Sequence, residues 1–464
     1  MGGYSWQRFF TDNFSESTNV AGTEVFFAPD FSPREYFLLS LFGRVNYSFN
    51  DWLLATFTLR RDGTSRFSPD NRWGLFPSAA LGWNIINAPQ STGLSNLKLR
   101  VGWGVTGQEA IGDFYAYLPR YQASFENARY QFGNEFVTTL RPNGYDENIK
   151  WEETTTVNLA LDYGILNNRL NGSLEFYLRD ADDLLNFIPV PAGTNLTNFI
   201  TTNIGDMETR GVELSLNAEA ISKPDLKLDV GFNIAYNENE ITKLIAAEDP
   251  NYPGVLVGGI AGGVGSTIQV HSEGFPAYSF YVLEQVYDNN KIPIEGLYVD
   301  RNGDGIVNSE DQYRLEKPSP DVTLGLTSRF QVKDFDISFA GRGYLGNYVY
   351  NNVWSDQAFY DRLFNSTLVL SNVNAATTEI DFFTPEFLSD HFVREASFFR
   401  MDHITLGYNL ADRLIGQHMR LSLTLQNAFV ISDYEGLDPE IFSGIDNNIY
   451  PRPRTFVFGV GVDF

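Results

Sequence analysis

The feature that most restricts the fold of this chain is an alternation of apolar and polar residues with a period of two. Phe37, Leu39, Leu41, Gly43, Val45, Tyr47 and Phe49 fall on one face of an extended segment, with Ser40, Arg44, Asn46 and Ser48 on the other. Successive side chains of a strand point to opposite sides, so this is strand patterning. It returns in Val157, Leu159, Leu161 and Tyr163 against Asn158, Asp162 and Gly164, and in Val212, Leu214, Leu216 and Ala218 against Glu213, Ser215, Asn217 and Glu219. Its longest instance is Leu226, Leu228, Val230, Phe232, Ile234 and Tyr236 against Lys227, Asp229, Gly231, Asn233, Ala235 and Asn237. That face runs for about eleven residues, within the ~9–11 that a tilted strand needs to cross a bilayer.

Further strands are expected over Gly3–Phe10, Trp52–Arg60, Trp73–Ile86, Leu97–Thr106, Leu170–Arg179, Tyr278–Tyr287, Val322–Val332, Phe335–Leu345, Phe399–Leu410, Met419–Phe429 and Thr455–Phe464. The total is about fourteen or fifteen strands. Asn50-Asp51, Asn167-Asn168 and Lys333-Asp334 are short joins with turn chemistry, whereas 107–150, 180–203, 241–276, 288–318 and 346–397 are long ones. Short turns at one end and long loops at the other are the asymmetry of an antiparallel transmembrane β-barrel with long extracellular loops. A soluble sandwich or propeller also alternates, but no fixed-period repeat supports a propeller. The chain ends on an alternating strand, Phe456, Phe458, Val460, Val462 and Phe464, similar to the terminal signal by which outer-membrane barrels are recognised for assembly.

Composition excludes several classes. With 33 Lys and Arg against 58 Asp and Glu the net charge is −25, so no nucleic-acid partner is expected, because phosphate neutralisation needs clustered cations. The chain is 43% hydrophobic, yet no stretch approaches the ~18 consecutive apolar residues of a membrane helix. Zero cysteines leave no disulfide and no thiolate chemistry, and four scattered histidines, His271, His391, His403 and His418, make a His-rich metal centre improbable. Gly254–Gly265 is glycine-rich but has no following Lys-Ser/Thr of a phosphate loop, and neither H-E-x-x-H nor G-x-S-x-G occurs. No enzymatic activity and no organic cofactor are expected.

One loop carries chemistry. Asp300-Arg301-Asn302-Gly303-Asp304-Gly305-Ile306-Val307-Asn308-Ser309-Glu310-Asp311 follows the calcium-loop spacing, with side-chain oxygens of Asp300, Asn302, Asp304, Asn308 and Asp311 and the carbonyl of Ile306 as candidate ligands. Asp311 stands where a longer bidentate glutamate is usual, and no helical pattern flanks both sides. The expectation is a structural Ca2+, or at least cation, site stiffening the loop 288–318; the alternative is a solvated turn.

Specific motifs resemble a known family. Ser40-Leu41-Phe42-Gly43-Arg44-Val45-Asn46-Tyr47-Ser48, Arg60-Arg61-Asp62-Gly63-Thr64-Ser65-Arg66-Phe67 and Asn71-Arg72-Trp73-Gly74-Leu75-Phe76-Pro77-Ser78 are similar to the most characteristic stretch of the SusC/RagA family of TonB-linked outer-membrane transporters of Bacteroidetes. So are Gly104-Val105-Thr106-Gly107-Gln108, Trp151-Glu152-Glu153-Thr154-Thr155, Arg210-Gly211-Val212-Glu213, Leu406-Gly407-Tyr408, Gln426-Asn427, Gly436-Leu437-Asp438-Pro439-Glu440 and Tyr450-Pro451-Arg452-Pro453-Arg454-Thr455, in family order. Gly63 is read as a turn residue free to take positive φ, with Asp62 capping the turn, and Trp73, Trp83 and Trp103 as an interfacial girdle or packing residues, a sugar-stacking platform being the alternative for any one of them.

The resemblance implies that residues 1–464 are the C-terminal portion of a barrel of about 22 strands, without the plug domain and TonB-contacting segment that precede it in the family. It implies a Gram-negative outer-membrane location, import of oligosaccharides or peptides, and four partners: a SusD-like surface lipoprotein, the TonB complex through the missing plug segment, outer-membrane lipid and the barrel-assembly machinery. Nothing at Met1–Gly3 resembles a signal peptide, so a removed leader or a longer gene product is expected. Polar residues facing the interior, Asn158, Asp162, Glu213, Asn217, Asp229 and Asn233, are the candidate solute contacts. Two other readings are a secreted, calcium-stabilised β-rich binding protein and a complete passive porin of about fourteen strands.

Overall fold

In the computed structural model Asn50 and Asp51 both take positive φ, 47° and 56°, the geometry of a tight turn whose twist matches that of its flanking strands. Leu166, Asn167 and Asn168 (55°, 59° and 63°) and Lys333 (52°) serve the same purpose. The structure describes every residue except 13, 19–24, 32, 89–90, 92, 111–113, 124–128, 191–192, 194–196, 198, 245–251, 264, 365–369, 411–417, 448–449 and 464. The terminal Phe464 therefore lies outside the described residues.

Fourteen strands form one antiparallel sheet in sequence order. They are β1 (Gly2–Thr11), β2 (Arg34–Phe49), β3 (Leu53–Thr64), β4 (Trp73–Asn87), β5 (Leu94–Gln108), β6 (Glu152–Ile165), β7 (Leu170–Pro189), β8 (Phe199–Lys223), β9 (Leu226–Lys243), β10 (Val322–Val332), β11 (Phe335–Leu345), β12 (Phe398–Leu410), β13 (His418–Ser432) and β14 (Thr455–Asp463). Joins alternate strictly in length: 50–52, 88–93, 166–169, 224–225, 333–334 and 411–417 on one side, 12–33, 65–72, 109–151, 190–198, 244–321, 346–397 and 433–454 on the other.

Register turns the alternation of each strand into continuous rows. Tyr47, Ala55, Leu81, Val101, Leu159, Phe176, Val212, Tyr236 and Val322 are successive cross-strand partners from β2 to β10. Val101, Leu159 and Phe176 are 42–47% exposed, so this apolar row is a surface rather than a core. One position along, Asn46, Thr56, Ala80, Gly102, Asn158, Tyr177, Gly211 and Asn237 form the parallel row on the opposite, polar face.

Three expectations change. The join 180–203 is largely strand, because β7 continues to Pro189 and β8 begins at Phe199; a bulge between Ala181 and Leu184, with Asp183 at φ 58°, interrupts the period that marks a strand. Tyr278–Tyr287 is not a wall strand, but two short strands, Ser279–Val282 and Gln285–Tyr287, in separate small sheets. Gly63 stays within β3 between Leu39 and Trp73: a Cβ there would lie 2.8 Å from the Trp73 ring, so close approach rather than positive φ calls for glycine, and Asp62 receives the Arg60 guanidinium at 2.7 Å instead of capping a turn.

The hydrophobic cores lie on the long-join side. Segments of 244–321, 346–397 and 433–454 pack into one lobe around Ile268, Phe280, Val282, Tyr350, Phe382 and Phe392, all at most 1% exposed. Tyr348–Asn351 pairs with Val393–Glu395 on one edge and Ile445–Asp446 on the other. A second core buries Phe67, Phe76, Ile149 and Trp151. Trp151 meets Phe67 and Phe76 edge-on, at 5.7 and 5.3 Å between centroids, and its indole N–H donates to the Arg72 carbonyl at 3.1 Å. It thereby pins the joins 65–72 and 109–151 to the wall.

Candidate functional site

Two features have chemistry: the polar face of the sheet and the lobe above it. The six interior candidates fall on one face, as register requires. Glu175 pairs with Glu213 and lies one strand from Ala160, and Asn233 lies between Ser215 and Gly325. Arg100 ties part of the set together, reaching Asp162 at 2.9 and 3.0 Å and Glu175 at 3.3 Å, while the Asn158 amide donates to Glu175 at 3.0 Å. Asn217 and Asp229 line a different cavity of about 470 Å³ nearer the short turns, with Arg169, Arg329 and His403. A third concavity, about 760 Å³, lies toward the long joins and includes Arg44, Arg60, Asp62, Glu109, Trp151 and Asn158. The six residues thus line an extended polar path and do not converge on one point.

One motif has a steric cause on this face. Arg420 grips Asp336 with two bonds, 2.6 and 2.8 Å, and the carboxylate is almost fully buried. A Cβ on Gly407 would lie 2.2 Å from Arg420 Nη2 and 2.5 Å from Asp336 Oδ2, so the Leu406-Gly407-Tyr408 motif leaves room for the ion pair. On the opposite face Trp73, Trp83 and Trp103 are 40–46% exposed, and the Arg61 guanidinium lies 5.0 Å over the Trp73 ring.

The loop 300–311 is wrapped by side chain to amide bonds. Asp300 accepts from the N–H groups of Gly303 (2.7 Å) and Gly305 (2.8 Å), Asn302 from Asp304 (2.9 Å), Asp304 from Ile306 (2.7 Å) and Asn308 from Glu310 (2.6 Å). Asp311 is fully buried and accepts from Arg301, Asn302 and Asn308 at 2.8, 3.2 and 2.9 Å. The Asn308 amide, with those of Asn302 and Arg301, holds its carboxyl below the usual range. Asp311 therefore closes the loop from inside, whereas Asp300, Asn302 and Asp304 keep lone pairs at the exposed end; their hard oxygens have the donor chemistry a Ca2+ would require. Among the described residues no three His, Asp or Glu side chains are grouped for a metal ion.

What spacing could not reveal is a convergence of arginines. Arg342, Arg400 and Arg452 close on Asp438 and Glu440: Arg400 to Asp438 at 2.5 Å, Arg342 to Glu440 at 3.0 Å, and Arg452 to Glu440 at 2.6 Å. Arg400 also donates to Asn427 at 2.8 Å. Two separate motifs, Gln426-Asn427 and Gly436–Glu440, thus meet at the buried Arg400 guanidinium, and Tyr450–Thr455 joins them through Arg452 on the two acids.

The profile of the family described as TonB dependent receptor-like, beta-barrel, matches residues 1–428. The chain belongs to the TonB-dependent receptor β-barrel family. It is 47% identical over 92% of its length to the TonB-dependent receptor SusC of Bacteroides thetaiotaomicron, covering 44% of that protein, and 30% identical over its full length to TonB-dependent receptor P3 of Formosa agariphila, covering 50%. The chain therefore spans about half the length of these relatives. Among solved structures it is similar to the RagAB peptide transporter, with TM-score 0.76 and 25% identity over 94% of this chain and 49% of that one. In this SusC-like barrel the apolar rows are the outer surface of the wall and the polar rows line its interior.

Proposed function

We propose that this chain forms the pore wall and outer lobe of a SusC-like importer in the outer membrane of a Gram-negative bacterium. The segregation of faces across nine successive strands supports the reading best: nine consecutive outward partners from β2 to β10 are apolar or aromatic, while the inner rows carry Asn, Thr, Ser and paired charges. A wall of that kind suits passage of polar solute, and oligosaccharides or peptides are the substrates proposed. RagAB, a structural neighbour, is a peptide transporter. The long joins are read as extracellular, where the lobe would meet a SusD-like surface lipoprotein. A plug and TonB contact would be supplied by further sequence such as the longer relatives have. Uptake of labelled oligosaccharide and peptide libraries by cells carrying the full protein, against cells with Asp162→Ala and Glu175→Ala, tests the reading. Uptake should fall with the double substitution; a protein monodisperse in buffer without detergent would instead favour the secreted binding protein, and solute conductance without TonB would favour the passive porin.

We further propose that Asp300, Asn302, Asp304, Ile306 and Asn308, with Asp311 as the internal closure, hold a structural Ca2+. The ordered Asx bonds and the positive φ of Gly303 and Gly305, 75° and 84°, support this reading, since they turn the backbone around the exposed oxygens.

A further inference from the structure

We propose that residues 436–446 are a strut that mechanically couples the loop lobe to the pore wall. The segment is gripped at both ends. At the wall end Arg400 of β12 holds Asp438 at 2.5 Å, and Arg342 of β11 holds Glu440 with two bonds of 3.0 and 3.1 Å while also reaching Asp402 at 2.9 Å. Arg452, entering from the far side of the same join, binds both acids, Asp438 at 3.2 Å and Glu440 at 2.6 Å. Arg400 and Asp438 are 4% and 5% exposed at their side chains, so this grip is shielded from solvent, where a charged hydrogen bond is strongest.

At the lobe end the same segment becomes part of the lobe. The Tyr350 N–H donates to the Gly444 carbonyl at 2.8 Å, and the Gln269 amide donates to the Ser443 carbonyl at 2.9 Å. Tyr350 and Asn351 pair with Ile445 and Asp446 as parallel strands. Tyr434 donates its hydroxyl to Asp446 at 2.8 Å. Ile445 packs against the core that contains Phe280 and Tyr350. Gly444 takes φ +73°, and a Cβ there would meet Pro318 at 2.4 Å, so this end is also sterically seated.

Between the grips lie only Ile441 and Phe442, the latter fully exposed. Three peptide steps from Glu440 to Ser443 span at most ~11 Å when extended, and a 3.0 Å bond from the Gly444 N–H to the Ile441 carbonyl bends them further. The strut has little slack. A shift of the lobe by more than a few ångströms must therefore either break one grip or displace Arg342 and Arg400, both of which belong to wall strands. Coupling of this kind runs in both directions. It stands whether the solute is a sugar or a peptide.

Hydrogen exchange read by mass spectrometry on the full protein in lipid vesicles tests it. Asp438→Asn with Glu440→Gln removes the charges at the wall end without changing side-chain size. Exchange in lobe residues 267–271 and 348–351, which form no hydrogen bond or ion pair with either substituted residue, should rise about tenfold. In the reverse direction, Gln269→Ala should raise exchange in 398–404. Four glycines inserted after Phe442 add slack and should raise lobe exchange by themselves, so in that chain the Asp438→Asn and Glu440→Gln pair should produce no further rise. Unchanged lobe rates in the uninserted variant, or an equal rise with and without the insertion, would overturn the proposal. Neither outcome bears on whether the wall transports solute.

Discussion

Arg400 Nη2 and Asp438 Oδ1 lie 2.5 Å apart across 38 positions of sequence, and both side chains are at most 5% exposed. Removing one partner of such a pair costs about 3–5 kcal/mol when the other charge is left uncompensated, and because Arg452 also reaches Asp438, at 3.2 Å, the loss falls toward the lower end of that range. Arg400→Ala should lower the urea midpoint of the vesicle-embedded protein markedly. Arg8→Ala, which breaks the Arg8–Glu35 pair of 2.6 Å at side chains 52% and 40% exposed, should cost no more than about 1 kcal/mol. Equal losses in the two variants would contradict this assignment.

Gly407→Ala places a methyl 2.2 Å from Arg420 Nη2 and 2.5 Å from Asp336 Oδ2, so it should destabilise by displacing a buried ion pair. Gly43→Ala meets no atom within 4 Å and should be neutral or stabilising by up to about 1 kcal/mol, since alanine loses less backbone entropy. Heat-modifiable gel mobility across a temperature series checks the pair, and a reversed order would refute the steric argument.

The lobe should weaken in acid. Burial, reinforced by Arg394, lowers the His391 pKa from 6.5 to about 4; its Nδ1 lies 3.2 Å from the Tyr287 hydroxyl and its Nε2 3.1 Å from Arg394. Because the folded lobe binds this proton less readily than the unfolded chain, the contribution is complete above pH 6.5 and is lost as pH falls through the window to about 4, at most roughly 3 kcal/mol. Asp390, whose carboxyl burial pushes up, acts in the opposite sense and loses its contribution as pH rises. Tryptophan fluorescence of the lobe against pH should therefore show a slope that His391→Gln flattens; an unchanged slope would locate the acid sensitivity elsewhere.

Calcium should raise amide protection across 300–311 in the wild type and not in Asp300→Asn with Asp304→Asn. Asp311→Asn should loosen the loop with or without the ion, because Asp311 already receives three backbone N–H groups. Terbium luminescence excited through Tyr313 and exchange over 300–311 read the two effects separately.

Much of the wall was legible because alternation, as in Leu226–Tyr236, reports both the strand and its buried or exposed face, and turn residues such as Asn50-Asp51 set the register of the next strand. The same reasoning placed Asn158, Asp162, Glu213, Asn217, Asp229 and Asn233 on one side. It stopped where the period breaks: the bulge at Asp182-Asp183 hid the ends of two strands. The lobe was opaque for a different reason. Its strands are two to six residues long, too short for a period, and Ile268, Phe280, Tyr350, Phe382 and Phe392 come together only through tertiary packing. The Asp438 and Glu440 motif was visible, but two of its three arginine partners, Arg400 and Arg342, lie 38 and 98 positions away, a distance over which spacing carries no signal.

The absence of cysteine allows the central claim, that odd positions of β6 face lipid and even positions face water, to be tested one residue at a time. Single cysteines placed from Val157 to Asp162 in the full protein, reconstituted in vesicles, can be labelled with a fluorescent maleimide and exposed to a lipid-soluble or a water-soluble quencher. Labels at 157, 159 and 161 should be quenched from lipid and those at 158, 160 and 162 from water. Equal quenching at neighbouring positions, or uniform access from water, would contradict the barrel wall.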